Sequence, residues 1–185
     1  MKHFRRYKRW NGILLRHGPL GIKYIGESFF RNVRFPVGEI NEDEAIVLKL
    51  LDSCTAVTYT NQVFYHYIHR SQSITTSGFS EKKLAWYMHC KNNLFWVQQH
   101  HPELTRYAKT RLCRSILWSM REISFSDQSY EKVVSALQRD LRQNYHDYRR
   151  CNLICTEQAR LFAVRFLPFR IYLYIEQIWS AGKGK

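Results

Sequence analysis

The chain has 185 residues, and its 29 Lys and Arg outnumber its 15 Asp and Glu, which gives a formal net charge of +14. This length suits one domain, or one domain with an extension, and a hydrophobic share of 45% excludes a globally disordered chain. The excess of positive charge indicates an anionic partner, such as nucleic acid, anionic lipid or a phosphate-bearing substrate.

Targeting features are absent from the sequence pattern. No run of about 18 consecutive apolar residues exists, so we expect no ordinary transmembrane helix. The basic residues 1–9 lead into no apolar segment with a cleavage site, so a secretory signal is not predicted. The five cysteines are odd in number and scattered, which favours a reducing cytoplasm.

The N-terminal third changes charge sign along its length. Residues 1–34 are almost purely basic and lack a clean apolar period, which indicates loop and short helix. A Pro-Val-Gly turn signal then precedes Asn41, a candidate helix N-cap, and three consecutive acids, Glu42, Asp43 and Glu44. We predict a largely buried helix from there to about Cys54.

A hairpin and a boundary are expected next. Residues 56–60 and 63–69 are rich in β-branched and aromatic side chains and are separated by Asn61 and Gln62, which predicts two strands. A polar loop over residues 70–78 follows. The composition shift near Gly78 divides the chain into a mixed α/β part, residues 1–78, and an all-helical part, residues 79–185.

Helical periodicity dominates the second part. Ser80 is expected to cap a helix that ends near His100, along which Leu84, Met88, Lys91 and Phe95 recur at helical spacing. The stripe of a second helix is Leu104, Ala108, Leu112, Ile116 and Met120. A third helix begins at Ser126 and Asp127, and its expected apolar face is Tyr130, Val133, Val134, Leu137, Leu141 and Tyr145. The last helix runs from about Thr156 to Ser180 and is broken or kinked at Pro168.

The acidic cluster at residues 42–44 has two readings. Acids in a first helical turn are favoured by the helix dipole, by roughly 0.3–1 kcal/mol each. Alternatively, one carboxylate faces a cleft and acts as a general base. Spacing alone does not separate these readings.

Two sequence blocks add context. Residues 29–44 read FFRNVRFPVGEINEDE and residues 63–75 read VFYHYIHRSQSIT. Both resemble recurrent segments of bacterial family 2 glycosyltransferases, in the order and at about the spacing of that family. The resemblance spans roughly residues 24–75.

The resemblance implies a GT-A fold and transfer of a sugar from a nucleotide-sugar donor to an acceptor hydroxyl on a glycan or lipid-linked acceptor, as in cell-surface or exopolysaccharide synthesis. In inverting members the Asp of the Glu-Asp pair is the general base, a role that falls on Asp43, with Glu42 orienting the acceptor or the base. His69 and Arg70 would lie near the diphosphate or the acceptor, and Ser73 could bond phosphate or sugar oxygens. A surface arginine and a turn hydroxyl are the simpler alternatives for Arg70 and Ser73.

The sequence also departs from the family. A complete enzyme begins with a nucleotide-binding half that ends in Asp-x-Asp, whose carboxylates hold Mg²⁺ or Mn²⁺. Glu27 is the only acid before Phe35, so those metal ligands are not in this chain. We therefore expect the C-terminal portion of such an enzyme, truncated or split, with doubtful activity on its own.

Three further features of the sequence give weaker indications of function. Cys151 and Cys155 lie one helical turn apart near His146, but a zinc site would need a second ligand pair. His100 and His101 precede a proline and indicate a loop. Residues 160–179 interleave arginines with aromatic and aliphatic side chains, which suits either the inner membrane face or a core helix whose arginines extend to solvent.

The sequence thus predicts an α+β, mostly helical protein: a partial GT-A acceptor-side segment, made of a helix and a β-hairpin, followed by a helical bundle. We expect the chain to act as the acceptor-binding half of a cytoplasmic glycosyltransferase. If residues 160–179 contact lipid, the enzyme would be peripheral on the inner face of the membrane. The alternative is a non-catalytic basic module that binds anionic membrane, RNA or a partner protein. Nucleic acid is disfavoured because no RNA-recognition motif or helix-turn-helix signature is present.

Overall fold

A computed structural model describes residues 5–7, 30, 33–54, 57–59, 78–124 and 130–181. The chain divides into two compact units, Met1–Ser77 and Gly78–Lys185. The described residues are mostly helical, which agrees with the predicted fold class at that level.

The first unit contains one described helix and two short strands. Strand β1, Arg5–Tyr7, pairs antiparallel with strand β2, Val57–Tyr59, so that Arg6 lies opposite Thr58. Helix α1 spans Glu42–Asp52, close to the predicted bounds, and buries Ile46, Val47, Leu50 and Leu51.

The strand pairing corrects one prediction and leaves another untested. The basic N-terminal segment was expected to be loop and short helix, yet it supplies a strand, because a strand is stabilised by its partner and not by its own apolar period. The first predicted strand is present, but its described neighbour is β1. The second predicted strand, residues 63–69, lies outside the described residues, so the hairpin is not shown.

The second unit is a bundle of six α-helices among its described residues. A 3₁₀ turn, Glu81–Leu84, leads into α2, Ala85–His100, and a second 3₁₀ turn, Pro102–Leu104, leads into α3, Thr105–Ser124. Then come α4, Glu131–Gln143, the short α5, Tyr145–Arg149, α6, Cys155–Phe166, and α7, Phe169–Ala181. Ser80 precedes the first 3₁₀ turn but makes no side-chain cap bond.

Helix α3 is the central element of this bundle. Every residue of its predicted stripe is buried, and Ile116 and Met120 have no exposed surface. The predicted apolar face of α4 is confirmed at Val134, Leu137 and Leu141, which are buried in the same core cluster as the residues of α3. The predicted break at Pro168 is also confirmed, because α6 ends at Phe166 and α7 begins at Phe169.

The predicted helix up to His100 is present as α2, but the residues that recur at helical spacing do not form its buried side. Met88 is 49% exposed and Phe95 is 64% exposed, and Lys91 also faces solvent. The side that packs instead carries His89, Cys90, Asn93 and Val97, which are buried. Edge-to-face contact of Trp86 with Trp118, at 5.4 Å between ring centroids, helps to set this rotation of α2 against α3.

Candidate functional site

The acidic cluster lies at the start of α1, after a sharply turned backbone. Gly38 and Asn41 both have positive φ, at 78° and 54°. Asn41 occupies the predicted N-cap position, but its left-handed backbone makes no side-chain cap bond. Instead, the backbone N–H of Glu44 donates to Asp43 Oδ1 at 2.9 Å and to the Asn41 carbonyl oxygen at 3.1 Å. The cluster therefore does stabilise its own helix start.

Asp43 lies in line with the buried face of α1. Positions 43, 46, 47 and 50 follow the i, i+3, i+4, i+7 spacing of one helix face. Ile46, Val47 and Leu50 on that face are buried, whereas Asp43 is exposed. The carboxylate thus lies where the buried face meets solvent, and its second oxygen accepts no described hydrogen bond. Glu42 is also exposed, one position earlier.

The remaining predicted site residues lie outside the described residues. These are His69, Arg70 and Ser73. Of the predicted site residues, the structure therefore describes only Glu42 and Asp43.

The cysteine pair at residues 151 and 155 has two different environments. Cys151 is buried and donates to the Asp147 carbonyl oxygen at 3.3 Å, and burial raises the pKa of its thiol. Cys155 is exposed at the start of α6. Within the described ranges, no three His, Cys, Asp or Glu side chains are grouped so that they could hold a metal ion.

The histidine pair ends α2 and is not simply a loop. His100 is the last residue of that helix, and its ring stacks on Trp96 with 4.7 Å between centroids. His101 lies 3.4 Å from Glu103. Both rings are thus occupied by local contacts at the helix end.

The second unit also has a basic cavity that was not predicted from the sequence. It has a volume of about 620 Å³, and its charged lining residues are Arg106 and Lys109 of α3, Asp147 and Arg149 of α5, and Arg150 directly after α5. Lys109 forms an ion pair with Asp147. The only sequence signal was the adjacent Arg149 and Arg150, which is too common in a chain of net charge +14 to single out.

Helices α6 and α7, within residues 160–179, each have a buried side and an exposed side. One face of each is core, since Leu161, Val164 and Tyr172 are buried. The outer face exposes large apolar side chains and two arginines: Phe162, Arg165, Phe166, Arg170, Ile171, Tyr174 and Ile178. No helix among the described residues is long and apolar enough to cross a membrane.

Comparison with known proteins identifies no relative from which a function could be inferred. No protein-family model, no curated protein and no solved structure matches this chain.

Proposed function

We propose that this chain is the acceptor-side, C-terminal portion of a GT-A glycosyltransferase of family 2, with Asp43 as the general base. The observation that carries the proposal is the position of Asp43: an exposed carboxylate in line with the buried face of α1 and preceded by a turned segment. An acid that only stabilises a helix start can lie on any side of the helix, so stabilisation does not require Asp43 to be in line with the buried face. The resemblance of residues 29–44 and 63–75 to family segments supports the same assignment.

In this mechanism, Asp43 takes the proton of the acceptor hydroxyl as its oxygen attacks the anomeric carbon of the donor. The sugar–phosphate bond breaks, and the nucleoside diphosphate leaves with the electron pair. Glu42 orients the acceptor, and the guanidinium of Arg70 balances charge on the diphosphate. The divalent cation, Mg²⁺ or Mn²⁺, and its Asp-x-Asp ligands belong to the nucleotide-binding half of the complete enzyme.

The test is Asp43→Asn in the complete enzyme, with sugar transfer followed by release of nucleoside diphosphate. We expect a roughly 10²- to 10⁴-fold loss of kcat, the usual contribution of a general base. The matched control is Glu131→Gln, because Glu131 is also an exposed acid in a first helical turn. Both variants should lose no more than about 1 kcal/mol of folding free energy. Unchanged transfer by Asp43→Asn would remove this residue from the mechanism.

A second function, peripheral contact with an anionic membrane, is favoured by the outer face of α6 and α7. Phe162 and Phe166 on α6 are spaced i, i+4, and Ile171, Tyr174 and Ile178 on α7 are spaced i, i+3, i+7. Large apolar side chains flanked by Arg165 and Arg170 suit the headgroup region of an anionic leaflet.

We expect the chain to sediment with phosphatidylglycerol vesicles and to do so at least about tenfold more weakly after Phe162→Ser with Phe166→Ser. The control is Phe95→Ser, because Phe95 is equally exposed on α2 but outside this face. Equal loss in both variants would assign the binding to overall charge and hydrophobicity, against a specific membrane face.

A further inference from the structure

The basic cavity in the second unit has an unbalanced set of charges. Four cationic side chains line it, namely Arg106, Lys109, Arg149 and Arg150, against a single carboxylate, Asp147. They come from two helices, α3 and α5, and from the residue that follows α5. Like charges in one site repel each other, and an anion placed between them would reduce that repulsion.

The single carboxylate is already engaged. Lys109 forms an ion pair with Asp147. The pKa of Asp147 is below its ordinary value, mainly because Lys109 donates a hydrogen bond and lies close as a positive charge, and to a smaller extent because of the charges of Arg150 and His146. The remaining guanidinium groups, of Arg106, Arg149 and Arg150, pair with no carboxylate among the described residues. Each of these three arginines is exposed. Their hydrogen-bond donors are therefore available to a ligand.

Other arginines of this unit are used differently. Arg114 binds both oxygens of Glu157, at 2.8 Å and 3.1 Å, and Arg160 binds the buried Glu176. These pairs hold helices together. The cavity arginines make no such ion pair among the described residues, so their guanidinium groups can contact a ligand in the cavity.

We propose that this cavity binds a phosphate or diphosphate group carried by a larger molecule. Guanidinium groups present planar, paired N–H donors that match phosphate oxygens, and a phosphate brings more than one negative charge to three free cations. The site is open to solvent, and its volume of about 620 Å³ leaves room for more than an isolated phosphate. The ligand is therefore a phosphate ester, either free or in a lipid headgroup.

The proposal does not rest on glycosyl transfer. All of its residues belong to the unit Gly78–Lys185, whereas Asp43 belongs to the unit Met1–Ser77. Loss of the phosphate site would leave the assignment of Asp43 standing, and the reverse also holds.

The experiment measures binding of inorganic pyrophosphate to the full chain by titration calorimetry. The test variants are Arg149→Gln and Arg150→Gln, and the control is Arg142→Gln, an exposed arginine on α4 that lies outside the cavity and loses the same charge. We expect about tenfold or greater weakening for each test variant, since a charge-assisted hydrogen bond is lost, and little change for the control. Asp147→Asn should bind more tightly, because it removes the competing carboxylate. Circular dichroism confirms that each variant is folded.

A second arm replaces pyrophosphate with vesicles of phosphatidic acid, compared with vesicles of phosphatidylcholine. Loss confined to Arg149→Gln and Arg150→Gln in the pyrophosphate arm assigns a free phosphate ester, and the same loss in the phosphatidic acid arm alone assigns a lipid phosphate. Either result supports the site. Binding in neither arm, equal weakening in Arg142→Gln, or weaker binding by Asp147→Asn would overturn it.

Discussion

Glu176 of α7 is fully buried, and its carboxylate binds two side chains, one of which is a cation. Arg160 of α6 binds its carboxylate through Nε and Nη2, the latter at 3.3 Å from Oε2, and the hydroxyl of Tyr172 donates to Oε1 at 3.2 Å. A buried carboxylate without its cation is strongly destabilising, because the lost hydration is not replaced. This pair therefore ties α6 to α7 across the break at Pro168.

We expect Arg160→Met to lower the free energy of unfolding by about 3–5 kcal/mol. Adding Glu176→Gln should recover much of that loss, because the amide oxygen still accepts from Tyr172 and no buried charge remains. Urea unfolding followed by circular dichroism measures both variants. Arg142→Met is the matched control, an exposed arginine that should change stability by no more than about 0.5 kcal/mol. If Arg160→Met resembled this control, the buried pair would not hold the two helices.

Asp140 links three elements by hydrogen bonds at the level of single side chains. Its carboxylate accepts from Tyr87 of α2 at 2.9 Å and from Tyr148 of α5 at 2.7 Å. Burial, and then the charge of Asp140, raise the pKa of both hydroxyls. The two tyrosines thus remain neutral donors, and the polar network in this part of the core is satisfied.

At the scale of elements, α2 and α4 show how much a pattern can specify. The apolar residues of α4 lie on one side, so its buried face could be predicted from Val134, Leu137 and Leu141. Helix α2 carries apolar residues around its whole circumference, so two different stripes both satisfy helical spacing. Packing against α3 selects the one that includes Cys90 and Val97 and leaves Phe95 exposed.

The candidate site at the start of α1 was predictable for a different reason. The turn signal, the acids and the apolar run that follow are local features, and the structure places Glu42, Asp43 and Glu44 in the first turn as expected. The side-chain cap expected of Asn41 is not formed: its backbone is left-handed and its side chain makes no cap bond, which the residue type alone does not predict. The basic cavity could not be predicted at all, since its cations come from segments that meet only in the folded bundle.

At the scale of the whole molecule, the second unit has a hydrophobic core of its own. The core cluster runs from Phe79 to Tyr172 and draws on α2 to α7. Such a core predicts independent folding, as for other domains of about 100 residues.

We therefore expect a fragment of residues 78–185 to be helical by circular dichroism and to unfold cooperatively on heating. In this fragment, Leu112→Ala should lower the free energy of unfolding by about 2–5 kcal/mol, because Leu112 is buried in the core. Phe162→Ala, at an exposed position, is the control and should have a small effect. A fragment without a cooperative transition would show that the two units depend on each other for folding.

Four features could be predicted from the sequence, because each depends on residues within a few turns of one another: the mostly helical class, the break at Pro168, the buried stripe of α3 and the acidic start of α1. Other features depend on how the segments pack: the pairing of β1 with β2, the side of α2 that is buried, the ion pair of Arg160 with Glu176, and the cavity shared by two cations of α3 with Arg149 and Arg150. These features join residues distant in sequence. The apolar period of a helix shows that one of its sides must be buried. Which element buries it, and which side is covered, depends on how the segments pack together.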